Sequence, residues 1–178
     1  MKLVELYESA KKLTQEKLPV DKHKLDPVLS ADTIDYHYHS LARGYVDNYN
    51  AGKGDAAFNE AGAYLHNVYF TQFGEPQGSN APHGASLEFI LSHFDSYADF
   101  QQQFKDVAMP LQGSAWVYLS TSGAIKTIVN HAMRSDIVLL VDWWEHAWAL
   151  DYQSDKEKYL DNIWKIVNWE IINARLLA

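Results

Sequence analysis

The stretch from Gly74 to Gly84, interrupted by Pro76 and Pro82, can neither carry a helix through nor sit inside a sheet. Proline lacks the N–H that either would need, and glycine gives up the most backbone entropy on ordering. It divides the chain, and the patterns on its two sides differ. Before it, Ser30 with Asp32 opens a helix whose apolar stripe is Ile34, Tyr38, Leu41 and Tyr45 and which runs to about Tyr49. Asn50 to Asp55, with Gly52 and Gly54, is a tight connection, and Ala56 to Gln72 resumes as a second helix. Two helices so joined pack as an antiparallel hairpin. Further upstream, Leu3, Leu6, Tyr7, Ala10 and Leu13 fall at helical spacing and end at Leu18-Pro19, predicting a short amphipathic helix, with residues 20–29 as extended loop.

After the linker the period changes. Helical patterns return over Ala85 to His93 and Ser96 to Ala108. Trp116 to Ser120, Ala124 to Asn130 and Ile137 to Val141 are rich in Val, Ile and aromatics between turn residues and read as three strands. Tyr159, Ile163, Trp164, Val167 and Ile171 mark a closing helix. The expected fold is α+β, an N-terminal antiparallel helical hairpin followed by a C-terminal domain with a three-stranded antiparallel sheet flanked by helices. Its segments are an extra N-terminal helix (1–17), the hairpin (18–82) and the α+β domain (83–178).

Composition narrows the chemistry. A length of 178 residues with 47% hydrophobic content is enough for a substantial core. A formal net charge of -8 argues against nucleic acid as a partner, since phosphate binding needs a clustered Lys/Arg excess. The absence of cysteine excludes disulfides, thiolate catalysis and iron–sulfur clusters, so any metal must be held by histidine and carboxylate. No run is long enough to span a membrane and no apolar signal core opens the chain, which sets a cytoplasmic expectation.

The densest cluster of unusual residues is Asp142-Trp143-Trp144-Glu145-His146-Ala147-Trp148, directly after an apolar strand. A carboxylate at a strand end and an imidazole four residues on converge on one ion if the chain turns into a helix between them, and iron, manganese or zinc all suit such ligands. The same residues equally suit a helix cap and an ordinary half-buried histidine. His37 and His66 sit among apolar neighbours on the hairpin helices, and a buried imidazole needs a hydrogen bond or a metal. His39 lies about 200° around the helix from His37 and so faces solvent. His23, His83 and His93 have no convergent partners and read as surface residues.

Asp142-x-Trp144-Glu145-His146-Ala147, Thr33-Ile34-Asp35-Tyr36-His37-Tyr38, His66-Asn67-Val68-Tyr69-Phe70 and Gly113-Ser114-Ala115-Trp116 together resemble the iron/manganese superoxide dismutases, from about Leu18 onward. The resemblance implies that His37, His66, Asp142 and His146 ligate one Fe or Mn ion per subunit, with a solvent molecule as fifth ligand. It implies a two-step cycle in which one superoxide reduces the trivalent metal and a second reoxidises it. Tyr45, eight residues after His37, matches the family's gateway tyrosine. His131 stands where most members carry the glutamine that bonds the solvent ligand, while the alternative helix position is Gly62. Trp116, Trp144 and Phe70 match the cavity lining. The resemblance further implies a homodimer in which Glu145 reaches His146 of the partner subunit, with superoxide as substrate and no nucleic-acid or membrane partner.

This chain also departs from the family pattern. A histidine on the first helix and a tyrosine three residues after the last ligand, which pair across the usual dimer, are here Leu41 and Ala149. The funnel arginine is Lys156, which loses the bidentate fork. The hairpin is shorter than usual. A dismutase-like binding protein that retains metal with little activity is the alternative, and a two-histidine, one-carboxylate oxygenase is a third possibility.

Overall fold

The computed structural model describes residues 12–178. The helix predicted from Leu3 to Leu13 lies almost wholly outside that range; residues 12–18 contain no helix. They lie extended across the hairpin, pinned by amides. Asn50 exchanges two hydrogen bonds of 2.9 Å with the Leu13 backbone, and Asn67 bonds Thr14 O and the Glu16 N–H, each at 2.9 Å. The Tyr38 hydroxyl donates to Glu16 O and accepts from the Leu18 N–H.

Helix α1 (residues 31–50) starts where expected, with Ser30 Oγ accepting from the Thr33 N–H. It is not a uniform α-helix. It is α over Ala31–Ile34, π over Asp35–Ala42 and α again over Arg43–Asn50, the Arg43 N–H reaching back five residues to Tyr38 O. After a short turn, Asp55 caps α2 (Ala56–Thr71) through the Phe58 N–H. The face of α2 that meets the rest of the molecule is built from Ala61, Gly62, Leu65, His66, Tyr69 and Phe70, all buried.

Two helices follow the linker, α3 (Ala85–His93) and α4 (Tyr97–Ala108), then the strands β1 (Ala115–Ser120), β2 (Ile125–Val129) and β3 (Ile137–Asp142). The sheet is antiparallel in the order β2-β1-β3, with Trp116 opposite Asp142 and Tyr118 opposite Leu140. Every residue of β1 and β3 is buried, so these strands are apolar without alternation. The short helices α5 (Ala149–Tyr152) and α6 (Lys156–Ile163) lead to α7 (Trp169–Leu177).

The single closing helix predicted through Tyr159 and Ile171 is in fact two helices. Between them a 3-10 turn (Trp164–Ile166) and an extended Val167 pair with the segment just past α2, Val167 opposite Phe73. Gly74 N–H donates to Ile166 O at 2.7 Å, Asn168 N–H to Gln72 O at 2.8 Å, and Asn80 caps the Trp164 and Val167 carbonyls. These tertiary bonds replace the intrahelical ones, and Asn168 then caps the new start through the Glu170 N–H. Among the described residues no helix is long and apolar enough to cross a membrane.

Candidate metal centre

Four side chains from four elements meet in the interior between the hairpin and the sheet. His37 comes from the π segment of α1 and His66 from the middle of α2. Asp142 is the last residue of β3, and His146 lies in the 3-10 turn Glu145–Ala147 that follows it. Their donor atoms all lie within 4.8 Å of one another. The Nε2 atoms of His37, His146 and His66 stand 3.0, 3.4 and 3.7 Å from Asp142 Oδ2.

These are not ordinary hydrogen bonds. Asp142 Oδ2 and all three Nε2 atoms lack a hydrogen-bond partner, although His37, His66 and Asp142 are fully buried and His146 nearly so. Burial without partners costs roughly 1–3 kcal/mol for each such group, and a buried carboxylate costs more. An arrangement of this kind persists where something absent from the polypeptide satisfies it. Three imidazole nitrogens and one carboxylate oxygen aimed at a common point are the donor set of a first-row transition metal. The other faces of two of these side chains are fixed by the backbone. His66 Nδ1–H donates to Gly62 O at 2.7 Å, which leaves the Nε2 lone pair free, and Asp142 Oδ1 accepts from the Trp144 N–H at 2.8 Å.

Electrostatics agree with a cation site. Burial holds the His66 ring well below its ordinary pKa, reinforced by His37, and burial lowers His37 against the opposing pull of Asp142. Both are neutral, as ligands must be. Burial alone would raise the Asp142 carboxyl, but His146 and His37 outweigh it and keep the group ionised.

Around this cluster stand Tyr45 and His131. The Tyr45 ring is 5.2 Å from His66 and 4.8 Å from His131. At 3.6 residues per turn, eight residues would carry Tyr45 roughly 80° past the His37 face. The wider π turn absorbs that excess and returns it to the site. His131, just beyond β2, stacks on Trp144 at 4.6 Å and accepts through Nδ1 from the Trp116 indole N–H at 3.1 Å. Its Nε2 is buried and unpartnered, and burial pushes its pKa down to about 4. Gly62 makes room for both rings: a Cβ there would lie 2.9 Å from the Tyr45 ring and 3.1 Å from His131 Cδ2. Phe70 packs on His37 at 4.8 Å and Trp116 on His66 at 5.0 Å, completing the apolar wall.

His39 is exposed, near Asp35 at 3.9 Å, and His23, His83 and His93 are also at the surface. Glu145 is exposed beside His146 and shares a cleft with Ser114, Trp148 and Lys156. Lys156 Nζ lies over the Trp143 ring at 5.3 Å and donates to Met109 O. Leu41 and Ala149 are half-buried.

Sequence reasoning overlooked Tyr69, Tyr159 and Gln72. Tyr159 donates to Asp142 O at 3.0 Å and pairs with the Tyr69 hydroxyl at 2.8 Å, and Gln72 bonds both backbone groups of Leu140. Their signal was present in the spacing His66, Tyr69, Gln72, which puts a polar group on each successive turn of a buried helix face.

The C-terminal domain of iron/manganese superoxide dismutases, as a family, matches residues 82–175. Superoxide dismutase [Fe] of Bacteroides fragilis is 33% identical over an alignment covering 90% of this chain and 97% of that protein. The chain belongs to the iron/manganese superoxide dismutases. Another relative, superoxide dismutase [Fe] of Escherichia coli K12, is 33% identical over 90% of this chain and 96% of its own length. Superoxide dismutase [Mn/Fe] of Porphyromonas gingivalis is also 33% identical, over 89% and 96%. The helical-hairpin and three-stranded-sheet architecture is that of this dismutase family.

Proposed function

We propose that this chain is a superoxide dismutase, converting two superoxide ions and two protons into one dioxygen and one hydrogen peroxide, and that His37, His66, Asp142 and His146 hold its single iron or manganese ion. The observation that carries the reading is the convergence of four buried donor atoms with no partner in the polypeptide. When bound, the metal supplies the alternating one-electron exchange. The chain's own residues do the rest. Trp116, Phe70 and Trp144 exclude bulk water and present no competing ligand. Tyr45, whose phenol burial pushes up to about 12, stays protonated at neutral pH. His131 is neutral, and because Nδ1 accepts from Trp116 its proton sits on Nε2. Both groups therefore hold a donatable proton beside the site, as a reaction that consumes two protons requires.

In the same reading the molecule is a homodimer. The exposed Glu145, which forms no ion pair among the described residues, approaches the His146 of the partner subunit as an outer acceptor. Leu41 and Ala149 then meet as apolar neighbours where other members hydrogen-bond. The enzyme works in the cytoplasm, where a chain without cysteine needs no oxidising compartment.

The test is protein expressed with iron or manganese supplied separately, assayed for bound metal and superoxide consumption. About one ion per chain and turnover on at least one form are expected, and His146→Ala should lose the ion. Metal content unchanged by His146→Ala would sink the ligand set. Stoichiometric metal without turnover on either form would leave a metal-binding relative in place of an enzyme.

A further inference from the structure

β3 is an edge strand: β1 lies on one side, and on the other no strand of the described residues covers it. An exposed row of N–H and C=O groups on a buried strand is costly and must be paired. Here side chains do the pairing. Val138 O accepts from Arg175 Nη1 at 3.1 Å. Leu140 N–H donates to Gln72 Oε1 at 3.2 Å, and Leu140 O accepts from Gln72 Nε2. Asp142 O accepts from the Tyr159 hydroxyl, itself bonded to Tyr69. Residues 138, 140 and 142 face the same edge because a strand repeats every second residue.

The bonds come from three places, Gln72 at the C-terminal cap of α2, Tyr159 in α6 and Arg175 in α7. His66 and Tyr69 in the last turns of α2, and Gln72 at its cap, each address β3. His66 faces the Asp142 carboxylate, Tyr69 reaches the Asp142 carbonyl through Tyr159, and Gln72 reaches Leu140. Which way the Gln72 amide points decides whether both of its bonds to Leu140 form. Arg175 settles that. Its Nη1 also donates to Gln72 Oε1 at 3.1 Å, so the amide oxygen stays on the Leu140 N–H side. Its Nη2 donates to Val68 O at 2.7 Å and lies 3.5 Å from Thr71 Oγ1, in the last turns of α2. The guanidinium has no carboxylate partner among the described residues. It is half-buried and held by neutral acceptors of α2, β3 and Gln72, a fork that a lysine ammonium cannot reproduce.

We propose that Arg175 is a positioning residue: with Gln72 it locks the register of α2 against β3, and thereby the separation of His66 from Asp142, without touching the metal. The proposal rests on the reading that these two residues are ligands. The experiment compares metal-loaded wild-type protein with R175M, R175K and Q72M, and with F100L, a core substitution in α4 chosen to give a similar loss of thermal stability. Three quantities are measured well below the unfolding temperature: hydrogen exchange at the Leu140 amide, the rate at which a chelator removes the metal, and the ligand-field or paramagnetic resonance spectrum of the ion. R175M and Q72M should speed Leu140 exchange and metal release by about tenfold or more and shift the spectrum. R175K should fall between them and wild type, and F100L should change neither release nor spectrum. If R175M does not fold, Q72M and R175K carry the same comparison. Release and spectra matching those of F100L would overturn the proposal. A wild-type chain that retains no metal would fail the ligand assignment and this proposal with it, an outcome no difference among the variants can imitate.

Discussion

Two polar clusters lie side by side in the same buried interface between α2 and β3. In one, His37, His66, Asp142 and His146 bring together four donor atoms that have no hydrogen-bond partner. In the other, Tyr69, Tyr159, Gln72 and Arg175 link to one another and to the backbone of β3, and none of their buried polar atoms lacks a partner. The burial is similar and the residues are interleaved along the same helix. A polar network that exists to hold a fold satisfies itself. One that exists to bind leaves its valences open toward a single point, and the polypeptide bears the cost until a ligand arrives. Substitutions in the open cluster should therefore act directly on metal binding; those in the closed one should lower stability with or without metal, and of these only Gln72 and Arg175, which set the register of α2 against β3, should also reach the site.

The largest contrast should come from Asp142→Asn. It keeps the shape and the Oδ1 contact to the Trp144 N–H but removes the charge and offers a poorer ligand atom at Oδ2. Metal affinity should fall by more than the roughly 10–100-fold seen for outer-shell partners, read by competition with a chelator. The thermal midpoint of the metal-free protein should change little, because the carboxylate lost no good partner. A large fall in that midpoint would place Asp142 in the closed network.

Acid should destabilise the metal-free protein through the open cluster. Burial lowers His37, His66 and His131, the last to about 4, whereas the same rings in an unfolded chain titrate near 6.5. Below about pH 6.5 the unfolded chain binds protons that the folded chain refuses, so stability present above that pH drains as pH falls. Each ring contributes up to ~1.4 kcal/mol per pH unit until its folded pKa is reached. Urea midpoints should drop steadily from pH 7 to 4.5. A flat profile would mean the rings are not buried neutral, and saturating metal should delay the drop.

Tyr159→Phe addresses the closed cluster. It strands Asp142 O and the Tyr69 hydroxyl, at a cost of about 1–3 kcal/mol, or a midpoint lower by roughly 2–4 °C per kcal/mol for a chain of this size. The loss should appear equally with and without metal. An effect confined to the metal-loaded form would erase the distinction between the clusters. Gly62→Ala tests the space beside the open cluster. The new methyl meets the Tyr45 ring at 2.9 Å. Overpacking of about 1–3 kcal/mol outweighs the roughly 1 kcal/mol that alanine gains over glycine within a helix. The midpoint should fall modestly, and the Tyr45 and His131 resonances should move together.

The two clusters were not equally legible in the sequence. Asp142 and His146 stand four residues apart in a local motif, and the apolar run before them announces the strand, so the α+β architecture could be read directly, while the motif by itself suited a metal and a helix cap equally. His37 and His66 were recognisable by their apolar company and by the family resemblance, although nothing local says that they meet. The π segment was invisible, because one extra residue per turn leaves no mark on an apolar stripe, yet it is what turns Tyr45 toward the site. Gln72 read as the last residue of a helix and nothing in the sequence singled out Arg175; both act through long-range contacts that propensity does not encode. The break at Val167 has the same origin, since pairing with Phe73 overrides a sequence that is helical by period.

The smallest effect belongs to the contact joining the apolar wall to the open cluster. Trp116→Phe keeps most of the ring that packs on His66 but removes the N–H that His131 Nδ1 accepts. The loss of one neutral hydrogen bond should cost about 1 kcal/mol, near the limit of a thermal melt. The sharper readout is the tautomer. In the wild-type chain the indole N–H leaves Nε2 as the position for the His131 proton, and nitrogen chemical shifts of the neutral ring should report that single form. Without the indole donor nothing in the polypeptide chooses between the two nitrogens, so a mixture should appear in the metal-free protein. A single Nε2–H form persisting in Trp116→Phe would show that the open cluster, rather than the wall around it, fixes that proton.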